Sequence, residues 1–246
     1  MAVVEQQQLP TLRESTILFA HRGARAHARE NTMEAFLLAL RLGATGLESD
    51  VWVTSDNVAV LDHDGKVRAS KLRSRPIRDI PSRQLPDHIP RLSEVLALLL
   101  DRPDLHLSLD IKDDDAFGPT FQAINEAQAE LFSRVWLCHP DRHTLTAQRS
   151  EFPDAHLVNS VRLNTIREGV EVRCASLANH GIDALNMRID DWNGGLVTLA
   201  HRFSRYAFGW NLQHAHELQN GLRMGLDGVF SDYVDRMVDA ARHTAL

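Results

Sequence analysis

A strand–helix–strand unit opens the chain between residues 17 and 51, with the sequence ILFAHRGARAHARENTMEAFLLALRLGATGLESDV. Its apolar start predicts a first strand, and the spacing of apolar residues over 33–42 predicts an amphipathic helix. Asn31 is expected to cap that helix, with Glu34 three residues later as in a capping box. Gly43 is expected to end the helix before a second strand follows. This order of elements is typical of an α/β protein.

The same alternation of strand-like runs and helical segments continues to the end of the chain. Eight strands, each followed by a helix, fit a closed (β/α)8 TIM barrel, for which 246 residues is an ordinary length. An open doubly wound sheet is the alternative, although no glycine-rich nucleotide-binding motif accompanies it. Because no linker or repeat divides the chain, residues 1–246 are interpreted as a single domain. The predicted barrel strands are 17–20, 46–51, 105–111, 135–138, 156–159, 184–187, 206–210 and 228–230.

The composition, 43% hydrophobic and 24% charged, is that of an ordinary globular protein. A net charge of −6 gives no general attraction to nucleic acid or an anionic membrane, so affinity for phosphate must be local. Residues 1–16 lack a secretory-signal pattern, and no segment has the roughly 20 apolar residues of a membrane span. Cys138 and Cys174 form no metal-binding spacing and favour a reducing compartment. We therefore expect a cytoplasmic enzyme for a small-molecule substrate, without nucleic acid or stable membrane insertion; the oligomeric state stays open.

Carboxylates collect where the second and third strands end. Glu48 and Asp50 stand two residues apart and project to the same side of the second strand. Such like charges are costly without a cation, and Mg²⁺ or Ca²⁺ prefers oxygen ligands. The third strand, LHLSLDIK, places Asp110 and Lys112 on one side, where they can supply a third carboxylate and hold a phosphoryl oxygen. The alternatives are a solvated polar edge and an acidic turn at 113–115 that the lysine offsets.

The tripeptide His21-Arg22-Gly23 directly follows the first strand. Arg22 can bind a phosphate in bidentate fashion, and Gly23 permits a sharp turn or a close approach of a ligand. His21 can act as a general acid or base near neutral pH. His63 follows a short strand and stands between two aspartates, either of which can orient its ring. Together with the carboxylates, these groups predict metal-assisted chemistry on a phosphate ester.

The N-terminal series HRG, ENT, E-x-D-V and HD, followed by a strand that ends in acid-x-Lys, resembles the motif order of the glycerophosphodiester phosphodiesterases. The segment 207–211, AFGWN, resembles the family's W-T-V segment. The segment 225–232, GLDGVFSD, resembles its G-V-D-G-I-x-T-D ending. The resemblance thus covers nearly the whole chain.

The resemblance implies a TIM barrel with a small insertion after the second strand, roughly residues 52–90. It implies one divalent cation, Mg²⁺ or Ca²⁺, held by Glu48, Asp50 and Asp110. In the mechanism proposed for the family, one histidine activates the glycerol 2-hydroxyl, which attacks phosphorus while the other protonates the leaving alcohol. The cyclic phosphate is then hydrolysed to glycerol 3-phosphate. The resemblance also implies that His21 and His63 form the acid–base pair, that Arg22 binds the phosphate, and that Lys112 lies beside the third carboxylate. We expect Trp210 at the rim of the pocket, where its aromatic face can cover the glycerol moiety; the alternative is a core tryptophan.

Three positions depart from the family pattern. Asp110 stands where the family usually has Glu, a short basic stretch follows His63-Asp64-Gly65 in place of a longer loop, and Asn211 replaces a threonine. The related sphingomyelinase D-like phospholipases, which release cyclic phosphates, commonly carry Asp at the position that Asp110 occupies here. A lyase of that type is therefore one alternative function, and a catalytically silent binding barrel is another.

Overall fold

A computed structural model describes residues 8–70 and 73–244. In these residues β1 pairs in parallel with both β2 and β11, which closes β1, β2 and β6 to β11 into an eight-stranded parallel barrel. The predicted TIM barrel is confirmed, and the open doubly wound sheet is excluded because an open sheet keeps two edges. The strands are β1 (Ile17–Ala20), β2 (Gly46–Val53), β3 (Ala59–Leu61), β4 (Lys66–Ser70), β5 (Arg73–Pro76), β6 (His106–Ile111), β7 (Val135–His139), β8 (His156–Val161), β9 (Ala184–Arg188), β10 (Tyr206–Trp210) and β11 (Gly228–Ser231).

Helices cover the outside of the barrel and bury their apolar faces against it. Within the part of the chain that the structure describes, none of them is long and apolar enough to cross a lipid bilayer. The α-helices are α1 (Met33–Leu42), α2 (Leu92–Leu100), α3 (Phe117–Ala127), α4 (Arg142–Glu151), α5 (Val170–Asn179), α6 (Gly194–Arg202), α7 (Ala215–Arg223) and α8 (Val234–Thr244).

The start of α1 differs from the sequence prediction. Thr32 caps the helix, since its hydroxyl accepts a hydrogen bond from the backbone N–H of Ala35 at 3.2 Å. Asn31 is instead buried in the left-handed backbone region, at φ +53°, with its side chain directed toward β2. The prediction of Asn31 as the cap was wrong because both residues are good caps and only the backbone conformation separates them.

The segment between β2 and α2 contributes no barrel strand. β2 runs to Val53, two residues beyond its predicted end, and β3 pairs with it in antiparallel fashion. β4 and β5 then form a separate two-stranded hairpin. Two short 3-10 turns, Ile77–Asp79 and Ser82–Gln84, lead on toward α2. This segment therefore lies beside the carboxyl end of β2, next to the residues that the sequence singles out.

The barrel interior is filled with aromatic rings. Phe19 stacks on Phe230 at 4.5 Å between ring centroids, and the Phe208 ring meets that of Trp136 at 4.9 Å. A side chain at Gly46 would have its Cβ only 2.4 Å from the Phe19 ring, so this position has room for glycine alone. These rings form a floor across the barrel, and polar side chains nearer the carboxyl ends of the strands stand above it.

Candidate active site

A cavity of about 220 Å³ opens at the carboxyl ends of the barrel strands, where TIM-barrel enzymes carry their active sites. Phe230 forms part of its floor. Such a volume suits a small polar group better than a drug-sized or lipid-sized ligand. Seven of the eight residues predicted for the site line this cavity: His21, Arg22, Glu48, Asp50, Asp110, Lys112 and Trp210.

Neighbouring strands bring two carboxylates together on one side of the cavity. Asp50 of β2 and Asp110 of β6 are directly opposite in the strand register. The ammonium group of Lys112 bridges them: its Nζ lies 3.1 Å from Oδ1 of Asp50 and also contacts Oδ2 of Asp110. Burial opposes the charge on Lys112, but the carboxylates of Asp110 and Asp50 outweigh it and raise the pKa of the ammonium group. Lys112 is therefore a permanent cation in this cavity.

Arg22 occupies the turn after β1, with φ of +52°. Its backbone N–H donates to Oε2 of Glu48 at 2.8 Å, and its Nε lies 3.2 Å from Oδ2 of Asp50. A second guanidinium nitrogen donates to Glu30 at 3.1 Å. Although Nε is buried and close to Asp50, it has no well-aligned hydrogen-bond partner among the described residues. The guanidinium lines the cavity, and its planar set of donors is of the kind that binds an anionic group.

Glu48 is the most strongly perturbed carboxyl of the cavity. Burial raises its pKa to about 7; the charge of His21 opposes the shift and that of Asp50 adds to it. Its Oε2 lies 3.9 Å from Nε2 of His21. A buried carboxyl that titrates near neutral pH beside a histidine and further carboxylates is typical of a functional site.

His21 is held from the far side by the last barrel strand. Its Nδ1 lies 2.6 Å from Oδ1 of Asp232, just beyond β11, and donates its proton to that carboxylate. Burial lowers the pKa of His21, but the charge of Glu48 and the hydrogen bond to Asp232 outweigh it, so that the pKa is raised overall. Nε2 is left to face the cavity as the nitrogen that can exchange a proton.

The carboxylates of the cavity are oxygen donors of the kind that a divalent cation requires. In residues 8–70 and 73–244, no three His, Cys, Asp or Glu side chains are already arranged around a point that would hold a metal ion. Instead, the ammonium group of Lys112 forms ion pairs with both Asp50 and Asp110. The chemistry nevertheless fits a hard cation, because three carboxylates line one small cavity and two of them raise the pKa of Glu48 by repulsion.

His63 is the one predicted site residue outside this cavity. It lies in a neighbouring cavity of about 260 Å³, between the loop before α1 and the segment after β3. Its Nδ1 lies 2.7 Å from Oδ1 of Asp64, one of the two flanking aspartates. Glu30 and Asn31 line the same neighbouring cavity and contact Arg22 and Asp50, respectively, so the two cavities adjoin.

Sequence reasoning missed the roles of three residues here. Asp232 follows a barrel strand directly, and the strand-end rule that selects His21 would also have selected it. The sequence predicts a helix cap at Asn31, but its amide N–H donates to Oδ2 of Asp50 at 3.1 Å, and its amide oxygen accepts a hydrogen bond from the Ser49 hydroxyl at 2.7 Å. Asn186 lines the cavity from β9 with a buried Oδ1 that has no hydrogen-bond partner among the described residues. No sequence signal marks Asn186.

Comparisons with known proteins identify the family of this chain. The sequence model of the "Glycerophosphoryl diester phosphodiesterase family" matches residues 21–236, which include every predicted site residue. A curated relative from Bacillus altitudinis, named glycerophosphodiester phosphodiesterase, is 25% identical over 240 residues. That alignment covers 91% of this chain and 97% of the Bacillus chain, so the two proteins correspond over nearly their whole lengths.

Solved structures share the fold. A glycerophosphodiester phosphodiesterase from Thermotoga maritima superposes with a TM-score of 0.78 at 21% identity, covering 92% of this chain and 99% of that one. A phosphodiesterase from Oleispira antarctica, solved in complex with the product sn-glycerol-3-phosphate, gives a TM-score of 0.79 at 18% identity. This second superposition covers 93% of this chain and 97% of that one. At these identities the likeness establishes a common barrel.

Proposed function

Because this chain belongs to the glycerophosphoryl diester phosphodiesterase family, we propose that it hydrolyses glycerophosphodiesters to glycerol 3-phosphate and an alcohol. The observation that carries the proposal is the small cavity in which a histidine oriented by Asp232 faces two cations and three carboxylates. This set contains a proton carrier, donors for a phosphate and ligands for a divalent metal. A small-molecule phosphodiester is the substrate that such a cavity admits.

Phosphate binding is assigned to Arg22 and Lys112. The guanidinium of Arg22 and the ammonium group of Lys112, whose pKa is raised, both line the cavity. Cations in a water-poor cavity stabilise the negative charge that accumulates on phosphoryl oxygens as the new bond forms. Their carboxylate contacts hold both side chains in position before substrate arrives.

Proton transfer is assigned to two histidines. Nε2 of His21 takes the proton of the glycerol 2-hydroxyl as that oxygen attacks phosphorus, while Asp232 stabilises the imidazolium that results. His63, paired with Asp64 in the adjoining cavity, gives a proton to the oxygen of the leaving alcohol. The cyclic phosphate is then opened by water, and the two proton transfers run in reverse.

The divalent cation, Mg²⁺ or Ca²⁺, would be held by Glu48, Asp50 and Asp110. When bound it supplies Lewis-acid stabilisation of charge on the phosphate. Asp110 has a shorter side chain than the Glu that the family usually carries, and the register with Asp50 keeps it beside the other ligands.

The glycerol moiety is assigned to the side of the cavity opposite the carboxylates. Trp210, at the end of β10, offers an aromatic face there, and the unpartnered Oδ1 of Asn186 can accept a hydrogen bond from the primary hydroxyl of glycerol. The reaction is proposed to take place in the cytoplasm, because Cys138 and Cys174 are both free thiols, as a reducing compartment maintains them.

Phosphorus NMR of glycerophosphocholine incubated with the protein tests the proposal. We expect glycerol 3-phosphate to form with Mg²⁺ or Ca²⁺ and not with EDTA. His21→Ala and His63→Ala should each lower turnover by about 100-fold or more, whereas His143→Ala, on the exposed face of α4, should not. A cyclic phosphate as the end product would favour the sphingomyelinase D-like alternative. Absence of metal-dependent turnover on a panel of glycerophosphodiesters would favour the silent barrel.

A further inference from the structure

The cavity that holds His63 has its own set of cationic side chains. Arg29 comes from the loop before α1, Lys66 and Arg68 come from β4, and His88 comes from the segment before α2. Its volume of about 260 Å³ is close to that of the first cavity. A concave site of this size fits one small group better than an extended surface.

Only one layer of side chains separates the two cavities. The amide of Asn31, which lines the second cavity, donates to Asp50 in the first at 3.1 Å. Glu30 likewise lines the second cavity and binds Arg22 of the first at 3.1 Å. A phosphate that lies against Arg22 is therefore next to the layer of side chains that also lines the second cavity.

The acidic groups of the second cavity are already engaged. Glu30 binds Arg25 at 2.6 Å in addition to Arg22, and Asp64 binds His63. Oδ2 of Asp62 accepts hydrogen bonds from the backbone N–H groups of Asp64 and Gly65, at 3.0 and 2.8 Å. Glu30 and Asp64 are thus paired with other cationic groups, and one oxygen of Asp62 is held by the backbone, so none of the three forms an ion pair with Arg29, Lys66 or Arg68 among the described residues.

Three cations of the second cavity have no carboxylate partner in the part of the chain that the structure describes. Among residues 8–70 and 73–244, Arg29, Lys66 and Arg68 take part in none of the ion pairs within 4.0 Å. Burial lowers the pKa of His88 and the charge of Arg29 lowers it further, while the charges of Asp62 and Asp87 oppose the shift without cancelling it. The sequence shows the same local excess, since residues 66–78 contain six basic and no acidic side chains in a chain of net charge −6.

We propose that the second cavity receives the leaving alcohol of the substrate and selects alcohols that carry an anionic group, such as a phosphate monoester or a carboxylate. The inference rests on the proposed function, in which His63 protonates the leaving oxygen from this cavity. Charge-assisted hydrogen bonds to Arg29 and Arg68 supply the selectivity, and Lys66 adds a third positive charge.

Two matched substrate pairs test the selectivity. Glycerophosphoinositol 4-phosphate differs from glycerophosphoinositol by one phosphate, and glycerophosphoserine differs from glycerophosphoethanolamine by one carboxylate. We expect kcat/KM for the anionic member of each pair to be about 10- to 100-fold higher at low ionic strength. The double variant Arg29→Gln, Arg68→Gln should bring that ratio to within about threefold of one, mainly through KM. Arg75→Gln, on β5 and outside the cavity, is the control and should keep the wild-type ratio.

Binding of the alcohol alone separates this proposal from the proposed function. Calorimetry should show tighter binding of inositol 4-phosphate than of inositol to the wild-type protein, with the difference lost in the double variant and reduced by added salt. Equal binding of the two alcohols, or an unchanged ratio in the double variant, would overturn the proposal. A binding preference without turnover of any diester would support an anion-selective cavity and contradict the phosphodiesterase assignment.

Discussion

Nδ1 of His21 lies 2.6 Å from Oδ1 of Asp232, although 211 residues separate the two along the chain. The contact exists because β1 pairs with β11, so that the residues just beyond both strands meet at one rim of the barrel. Burial opposes ionisation of Asp232, but its hydrogen bond to His21 together with the charges of His21, Arg25 and Arg22 outweighs burial and lowers the pKa of the carboxyl. The carboxylate therefore stays charged and fixes both the ring orientation and the tautomer of His21.

Asp232→Asn should lower turnover by about 10- to 100-fold at neutral pH. Both the charge of Asp232 and its hydrogen bond raise the pKa of His21. The neutral amide of asparagine can still accept a hydrogen bond but carries no charge, so the pKa of His21 falls and the acidic limb of the kcat/KM profile should move to lower pH. Asp235→Asn is the matched control. Oδ1 of Asp235 lies 3.1 Å from Nε2 of the exposed His27, and neither residue lines the cavity. A pH profile that does not move in Asp232→Asn would contradict the positioning role.

Lys112→Met should change turnover and metal affinity in opposite directions. Turnover should fall by about 100-fold because the phosphate loses a cation that lines the cavity. Affinity for Mn²⁺, measured by electron paramagnetic resonance, should rise several-fold because Asp50 and Asp110 lose the ammonium group that neutralises them. Arg75→Met removes an exposed cation of the β4–β5 hairpin and should leave both quantities as they are. Weaker Mn²⁺ binding in Lys112→Met would argue against a cation site at these carboxylates.

Asn186→Leu should lower kcat/KM for glycerophosphodiesters by about 3- to 10-fold, since it removes one hydrogen bond to a neutral hydroxyl. The effect should depend on the substrate. A diester of propane-1,2-diol, which lacks the primary hydroxyl of glycerol, should be hydrolysed by the variant and the wild-type protein with the same kcat/KM. A loss of the same size on both substrates would place the role of Asn186 elsewhere.

Gly23→Ala should lower the free energy of unfolding by about 2 kcal/mol or more. Gly23 has φ of +78°, and an added Cβ would lie 2.7 Å from the backbone carbon of Ala35 in α1. Gly118→Ala is the control: its Cβ would meet nothing within 4 Å, and in a helix alanine is favoured by up to about 1 kcal/mol. Urea denaturation measures both changes, and equal stability of Gly23→Ala and the wild-type protein would contradict the steric argument.

His106 should make stability depend on pH between about 4 and 6.5. Burial lowers its pKa to about 4, and the charge of Arg13, 3.1 Å away, adds to the shift. In that range the unfolded chain binds a proton that the folded protein does not, so stability rises with pH. Above pH 6.5 His106 is neutral in both states, and the free energy of unfolding is higher by about 2–3 kcal/mol than it is near pH 4. This difference is lost progressively as the pH falls from 6.5 toward 4.

Chemical denaturation across this pH range measures the effect. His106→Gln should flatten the dependence of the unfolding free energy on pH, because the titrating group is gone. His143→Gln, at an exposed position of α4, should preserve the wild-type slope. An identical slope in His106→Gln would assign the acid sensitivity to other groups.

Much of the site follows from local rules applied to the sequence. Side chains alternate along a strand, so Glu48 and Asp50 share a face, and the carboxyl end of a barrel strand is where catalytic groups collect. The same two rules select Asp110 and Lys112 on the neighbouring strand. The cavity that these residues line together with His21 and Arg22 agrees with that reasoning.

Other features depend on contacts between distant segments. His63 was grouped with His21 by motif order, yet the path of the chain after β3 places it in the adjoining cavity. Lys112 was expected beside a carboxylate, but only the register between β2 and β6 makes it a bridge between two. The sequence predicts a helix cap at Asn31, but in the structure the positive φ of this residue directs its side chain toward Asp50.

The sequence by itself predicted the barrel and seven of the side chains that line its cavity, because hydrophobic periodicity and strand-end position are local properties of the chain. The tertiary structure alone decided which of those side chains meet. Closure of β1 onto β11 orients His21 through Asp232, and the segment after β2 adds a second, cationic cavity beside the first. Such contacts depend on how distant strands and loops pack in three dimensions, which no short stretch of sequence encodes.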